Sequence, residues 1–467
     1  MSPPEPLHYR SIRELAPLLR SRQLSPVELT RAFLDRIQAL DGRVHAYITV
    51  TAERALADAQ AAEAAIGRGT YGGPLHGIPL ALKDLFVTGG IRTTAHSQLL
   101  ANWVPAADGA IAARLREAGS VLLGKLALSE FAYGDSNPAV SPPARNPWDL
   151  GRAPGFSSSG SGAAVAAGLC AASVGSDTGG SIRQPASLCG IVGLKPTYGR
   201  VTRRGGLPLS WSLDHFGPMT RRVEDAAILL QAMAGHDPED PVSSRTTVPD
   251  YRAALGQGVR GLRVGVPRAF FFARDGEADP EVMDAAEAAL ELLGRLGAHL
   301  EEVDIPSIRC SRPAQSLILT AEALAYHQRS LLERARDLSP RLRLRLRLAM
   351  LFRGADYLRA LRIRGVLLRE TTTALAGADV LVTPATPQAA WRLDADPHGL
   401  SRNHNYRFVN LFNLTGLPAI SIPCGFTRSG LPIGLQIAAR PFAEPTILRV
   451  AHAYEQEAGW FQRHPPL

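Results

Sequence analysis

PGFSSSGSGAAVAAGLCAASVGSDTGGSIR, residues 154–183, puts a serine cluster, a Gly/Ala-rich segment and a second, glycine-flanked serine into one short stretch. Glycine clears side chains from around a backbone, so its N–H groups can meet a reacting atom closely. Ser181 follows Asp177, Thr178, Gly179 and Gly180, where several backbone N–H groups can converge on one oxygen. That is the layout of a nucleophile beside its own oxyanion hole.

Around this stretch the chain alternates between helical and strand patterns. Residues 163–169 read as a small-residue helix, and residues 77–86, GIPLALKDLF, as a short buried strand that reaches a lysine. Two N-terminal helices open on capping-box patterns, Ser11 with Glu14 and Ser25 with Glu28, the second with Pro26 at its first position. A third helix covers residues 52–66. Helices are expected over 108–118, from Asp279-Pro280 to about 296, and over 445–457; strands are expected at 120–124, 263–266, 379–383, 419–422 and 433–437. This alternation argues for α/β layers around a central sheet. The polar stretch 236–249 is the best candidate for an excursion, and one domain over 1–467 is expected.

Of the 467 residues, 45% are hydrophobic and 20% charged, enough for a sizeable core, and the formal net charge is +8. Spread over so large a surface, that charge points only weakly to nucleic acid. The sharpest basic run, residues 341–347, reads as a solvated helix face, with a tRNA or membrane contact as the other reading. Four scattered cysteines, Cys170, Cys189, Cys310 and Cys424, form no CxxC pair and suggest reduced thiols. With no signal-peptide pattern and no apolar run of spanning length, the chain is expected to be cytoplasmic and to make no membrane contact.

Other glycine-rich chemistries fail on the residues. No P-loop pattern exists, residues 160–165 only half match a dinucleotide fingerprint, and Arg183 stands where a nucleophile elbow needs its second glycine. Serine needs a base, and lysine can serve when burial disfavours its charge. Lys83, at the end of GIPLALK, is the lysine best placed for that, and residues 157–159 offer a hydroxyl to relay the proton.

GIPLALKD, PGFSSSGSGAAVAAG and GSDTGGSIRQPA, in this order and spacing, resemble the amidase signature family of serine hydrolases. So do NPWD (146–149), CGIVGLKPTYGRV (189–201), LSWSLDHFGPM (209–219), TPATP (383–387), TGLPAISIPCGF (415–426) and GLPIGLQIAARPF (430–442). The likeness runs from about residue 10 to 460. It implies an α/β fold: a single large domain with a central mixed, twisted sheet covered by helices on both faces. Within it the N-terminal helices take about 10–66, the catalytic core about 70–230, and the remainder completes the sheet and the substrate pocket.

The resemblance also implies a Ser–Ser–Lys triad, with Ser181 as nucleophile, Lys83 as base and Ser157 as the bridging serine on a cis peptide bond. Backbone N–H groups of Thr178, Gly179 and Gly180 would form the oxyanion hole. The implied reaction cleaves a carboxylic amide to carboxylate and ammonia or amine through an acyl-enzyme, without metal or organic cofactor. Phe156 departs from the family pattern where a glycine often stands, and its bulk would narrow the acyl site or shift the loop. Phe131, Tyr133, Phe156 and Trp211 are candidates to line that site.

On this reading the chain is a stand-alone amidase acting on a small-molecule amide, with nucleic acid not expected and a homodimer compatible. Two rivals stand beside it. One is the catalytic subunit of a tRNA-dependent amidotransferase, against which residues 403–414, NHNYRFVNLFNL, count because they hold no Asp or Glu for a glutamine amino group. The other is a non-catalytic binding protein on the same fold.

Overall fold

A computed structural model describes residues 5–394 and 405–467. Among these residues eleven strands join in one mixed sheet. In chain order they are β1 (Tyr47–Val50), β2 (Pro79–Lys83), β3 (Val121–Leu126), β4 (Ala172–Asp177), β5 (Val192–Lys195), β6 (His215–Thr220), β7 (Arg263–Val266), β8 (His299–Glu302), β9 (Val380–Pro384), β10 (Ala419–Phe426) and β11 (Pro432–Ala438). The spatial order is β1-β3-β2-β4-β6-β5-β10-β11-β9-β7-β8. β2 runs parallel to both β3 and β4, β7 runs parallel to β8 and β9, and the pairs between these two groups are antiparallel. Helices flank the sheet, and one apolar cluster runs from Ile12 to Tyr454.

The helix starts follow their capping chemistry. Ser11 and Glu14 complete a reciprocal capping box before Ile12–Arg20. At Pro26–Val44 only half of the expected box forms. Ser25 Oγ accepts from the N–H groups of Val27 and Glu28 and donates to Glu63, and no bond from the Ser25 backbone N–H to the Glu28 side chain closes the box among the described residues. In Pro340–Ala349 the Leu/Arg alternation places Leu342 and Leu346, four apart, in the core, and leaves Leu344 and Leu348 exposed.

Five strands escape the sequence reading: β1, β4, β5, β6 and β8. β4, ASVGSD, is wholly buried yet rich in residue types that strands usually avoid. It is a strand because β2 and β6 pair with it on both sides, and the local sequence alone does not say so.

The small residues of the diagnostic stretch are explained by close approach. Helix Ser159–Ala166 lies so near the turn after β3 that a Cβ on Gly160 would sit 2.5 Å from both the Ala127 nitrogen and the Ala46 carbonyl oxygen. Backbone cannot yield as a flexible side chain can. We expect Gly160→Ala to lower stability by about 1–3 kcal/mol, the usual range for overpacking, read as a shifted denaturant midpoint with an unchanged slope.

Candidate active site

β2 and β4 are parallel neighbours, and their ends deliver Lys83 and the 177–181 loop to one place. Lys83 is fully buried, and Nζ is hydrogen-bonded to three hydroxyls: Ser157 Oγ at 2.9 Å, Ser158 Oγ at 3.0 Å and Ser176 Oγ at 2.8 Å. Ser158 gives its own proton to the Ser176 carbonyl, 3.2 Å away, so towards Lys83 it only accepts. Burial pushes the Lys83 ammonium well below its ordinary range, against the opposing fields of Asp177 and Asp214. As a neutral amine, Lys83 has two N–H donors and one lone pair for these three hydroxyls. The lone pair can therefore take a proton from Ser157 or Ser176.

Ser181 lies between β4 and helix Arg183–Cys189. Its loop turns around Asp177. The Asp177 carboxylate accepts from the Gly180 N–H (2.7 Å), the Ile182 N–H (3.1 Å), Arg183 Nε and Nη2 (3.0 Å each) and Asn413 Nδ2 (2.8 Å). Burial alone would raise this acid, but the Arg183 guanidinium and these hydrogen bonds hold it well below the usual carboxylate range. Arg183 is tied in turn to the Val409 carbonyl, Gln436 and Asn413. Thr178 Oγ1 donates to Asp214 at 2.6 Å, and burial pushes that carboxyl up to about 6.

The glycines before Ser181 are dictated by space. Gly180 has φ +122°, and a Cβ there would lie 2.1 Å from Val409 Cγ2; one on Gly179 would meet Gln315 Nε2 at 2.7 Å.

The geometry departs from several expectations. The N–H of Gly180, expected as an oxyanion donor, is given to Asp177, because the loop wraps that carboxylate to form its turn. The N–H groups of Gly179 and Ser181 make no hydrogen bond among the described residues. All described peptide bonds are trans, including the one at Ser157 where the resemblance implies cis; for a non-proline residue trans is lower by about 2.5–4 kcal/mol. No hydrogen bond joins Ser157 to Ser181, whose Oγ instead lies 3.4 Å from Tyr406 Oη.

Ser181 opens on a cavity of about 350 Å³. Tyr133 and Phe156 line it; Phe131 and Trp211 do not. The Phe131 ring packs edge-on against His327 in the interior, and Trp211 is 46% exposed beside Tyr326. Sequence reasoning missed Ser176, which helps hold Lys83, and the cavity residues Arg312, Gln315, Arg345 and Tyr406. Ser176 is two residues from Thr178 in an unrecognised strand; Arg345 sits in the basic run 341–347 and Tyr406 in the segment 403–414, both read for other reasons, and Arg312 and Gln315 come from a helix without a motif of its own. Asn403 and His404, in the segment read against an amidotransferase, lie outside the described residues.

These features, a buried lysine among serines and a glycine-cradled serine on an open cavity, sit on a sheet matched along nearly the whole chain. The sequence model of the Amidase family fits residues 28–448, and the chain belongs to that family. It is 45% identical to a glutamyl-tRNA(Gln) amidotransferase subunit from Moorella thermoacetica, over 99% of each chain. Among solved structures, it superposes with TM-score 0.90 and 37% identity on a chain from a vestigial protein complex that reveals the evolutionary origins of an s-triazine catabolic enzyme, covering 96% of this chain and 99% of that one. The corresponding glutamyl-tRNA(Gln) amidotransferase subunit from Thermotoga maritima superposes with TM-score 0.83 and 35% identity, covering 97% and 95%.

These findings overturn the stand-alone amidase and its small-molecule partner. Full-length relatives at 41–45% identity are subunits of glutamyl-tRNA(Gln) amidotransferase. The absence of an acid from residues 403–414 is one local feature, set against likeness along the entire chain.

The Asp177–Arg183 pair is fully buried, so removing one partner strands a charge. We expect Arg183→Ala to cost about 3–5 kcal/mol of stability, measured by urea denaturation, and Asp177→Asn at least as much, because it leaves the Arg183 cation, which cannot deprotonate, buried without its carboxylate.

Proposed function

We propose that this chain is the amide-cleaving subunit of an amidotransferase-type assembly, releasing ammonia for transfer to a tRNA-linked carboxyl group. The observation that carries the reading is the full-length 45% identity to a glutamyl-tRNA(Gln) amidotransferase subunit. The exposed apolar side chains Leu344, Leu348, Met350, Leu351 and Phe352, of which Leu348 and Phe352 line the cavity, fit a chain that works in an assembly. The buried, unpaired Cys170, Cys189 and Cys424 fit a reducing compartment, and we place the chain in the cytoplasm.

In this reading neutral Lys83 takes the proton of Ser157, and Ser157 takes that of Ser181 as its oxygen attacks the amide carbonyl. A serine hydroxyl has three staggered positions; the relay requires that of Ser181 to swing from Tyr406 towards Ser157. The carbonyl electrons move onto oxygen, held by the free N–H groups of Gly179 and Ser181 with Thr178 beside them. Collapse of the intermediate breaks the C–N bond, the relayed proton goes to nitrogen, and ammonia leaves an acyl-Ser181. Water then enters by the same relay and frees the carboxylate.

The test is native purification of the tagged chain with its partners, followed by an assay of glutamyl-tRNA amidation. The complex should amidate the tRNA with an amide donor. Its Ser181→Ala form should do so only with added ammonium chloride. A complex that transfers no nitrogen to tRNA from either source would overturn the reading.

Acyl transfer also has a defined pH sign. The base must be neutral, so kcat/KM should rise with pH as Lys83 loses its proton. Because burial lowers that pKa, the rise should be complete well below the ordinary lysine range. Lys83→Arg, a cation at all accessible pH, should be inactive throughout.

A further inference from the structure

Phe156 lines two cavities. One is the catalytic cavity of about 350 Å³ on which Ser181 opens. The other, of about 550 Å³, is lined by Pro154, Gly155 and Ser159 of the same segment and by Ser136, Pro143 and Trp391. No other described residue is common to the two linings. The wall between them is therefore one residue thick at Phe156.

The segment that carries this wall is anchored on both sides of it. A Cβ on Gly155 would lie 2.5 Å from Pro185 Cβ, so the backbone there is packed against helix Arg183–Cys189 without slack. The Phe156 N–H donates to Gln184 Oε1 at 3.1 Å, and the Ser157 and Ser158 hydroxyls meet Lys83 Nζ. The Gly160 N–H donates to the Ala127 carbonyl at 2.9 Å. None of these anchors uses the Phe156 ring. The ring itself stands edge-on to Tyr406, with centroids 6.2 Å apart, in a small buried cluster with Val409. The hydroxyl of the same tyrosine lies 3.4 Å from Ser181 Oγ. The bulk of Phe156 thus bears on the space beside the nucleophile. Of the two consequences left open by the sequence, a narrowed acyl site or a shifted loop, the anchors favour the first.

We infer that Phe156 is a specificity-determining partition: it confines the acyl group of the cleaved amide to the catalytic cavity and closes the second cavity to it. This rests on Ser181 as the acylated nucleophile of the proposed function and deepens it by restricting the nitrogen donor to amides of short acyl chain. With glycine in place of Phe156 the two spaces would be continuous. Pro143, Pro154 and Trp391 would then offer apolar surface to a chain leading away from Ser181. At an apolar pocket wall a single methylene already decides about tenfold or more between substrates.

The experiment measures how fast ethyl and octyl fluorophosphonates, which phosphonylate Ser181 Oγ as fluoride leaves, label the full-length chain, read by intact mass. Relative to wild type, Phe156→Gly should raise the octyl-to-ethyl rate ratio at least about tenfold. Phe156→Ala stands in for it if the glycine variant does not fold. Adding Ser136→Trp, which fills the second cavity, should take the gain away, while Ser136→Trp alone should leave the wild-type ratio unchanged. An unchanged ratio in the Phe156 variants overturns the inference, as does a gain that Ser136→Trp does not reverse. So does a chain that neither probe labels. Labelling that persists in Ser181→Ala removes the nucleophile and the proposed cleavage with it. An unchanged ratio with tRNA amidation intact removes the partition alone; the expected ratios without tRNA amidation remove the acceptor alone.

Discussion

The buried contact between Asp177 and Arg183 organises the site. One carboxylate ends the interior strand β4, turns the loop that presents Ser181, and receives the first residue of the following helix. Its partner guanidinium reaches the Val409 carbonyl, Asn413 and Gln436, far along the chain. The catalytic loop is thereby fixed to the second half of the sheet. Such a pair costs desolvation, and it is tolerated because nearly every lone pair and N–H is satisfied. The cost of Gly180's N–H, taken from the oxyanion site, belongs to the same arrangement.

Lys83 shows the opposite solution to burying a charge. No carboxylate touches it among the described residues; three hydroxyls surround it, and burial pushes its ammonium well below the ordinary lysine range. A salt bridge at this position would hold the lysine protonated and unable to act as a base. The choice of serines over acids around Nζ is thus a statement about its protonation state. Ser158 makes the point in detail, since its proton is occupied by the Ser176 carbonyl and it can only accept.

What could be read in advance followed from local rules. GIPLALK announced a buried strand ending at a lysine, and Ser11, Ser25 and Asp279 announced helix starts. The α/β class followed from their alternation. What could not be read was made by contacts distant in sequence. β4 and β6 are strands through each other's pairing, and β4 is built of residues that locally favour turns. Phe131 and Trp211 share segments with true cavity residues, Tyr133 and Leu209, but their side chains point elsewhere. Arg312 and Tyr406 reach the cavity from a long helix and from the loop before β10, with no spacing to connect them. The stand-alone amidase reading fails for a related reason: one missing acid weighs less than a match along the full length of the chain.

Buried cations across this molecule are handled in three ways. Some meet carboxylates, as Lys125 meets Asp84 and Arg222 meets Glu455. Some are ringed by backbone carbonyls, as Arg221 is by those of Tyr9, Arg10, Val165 and Cys170, and Arg200 is by those of Thr246 and Thr247. Buried lysines can instead lose the proton, which is where burial drives both Lys83 and Lys195. Arg312, partly exposed on the cavity wall, has the Gln315 side-chain carbonyl as its hydrogen-bond partner among the described residues.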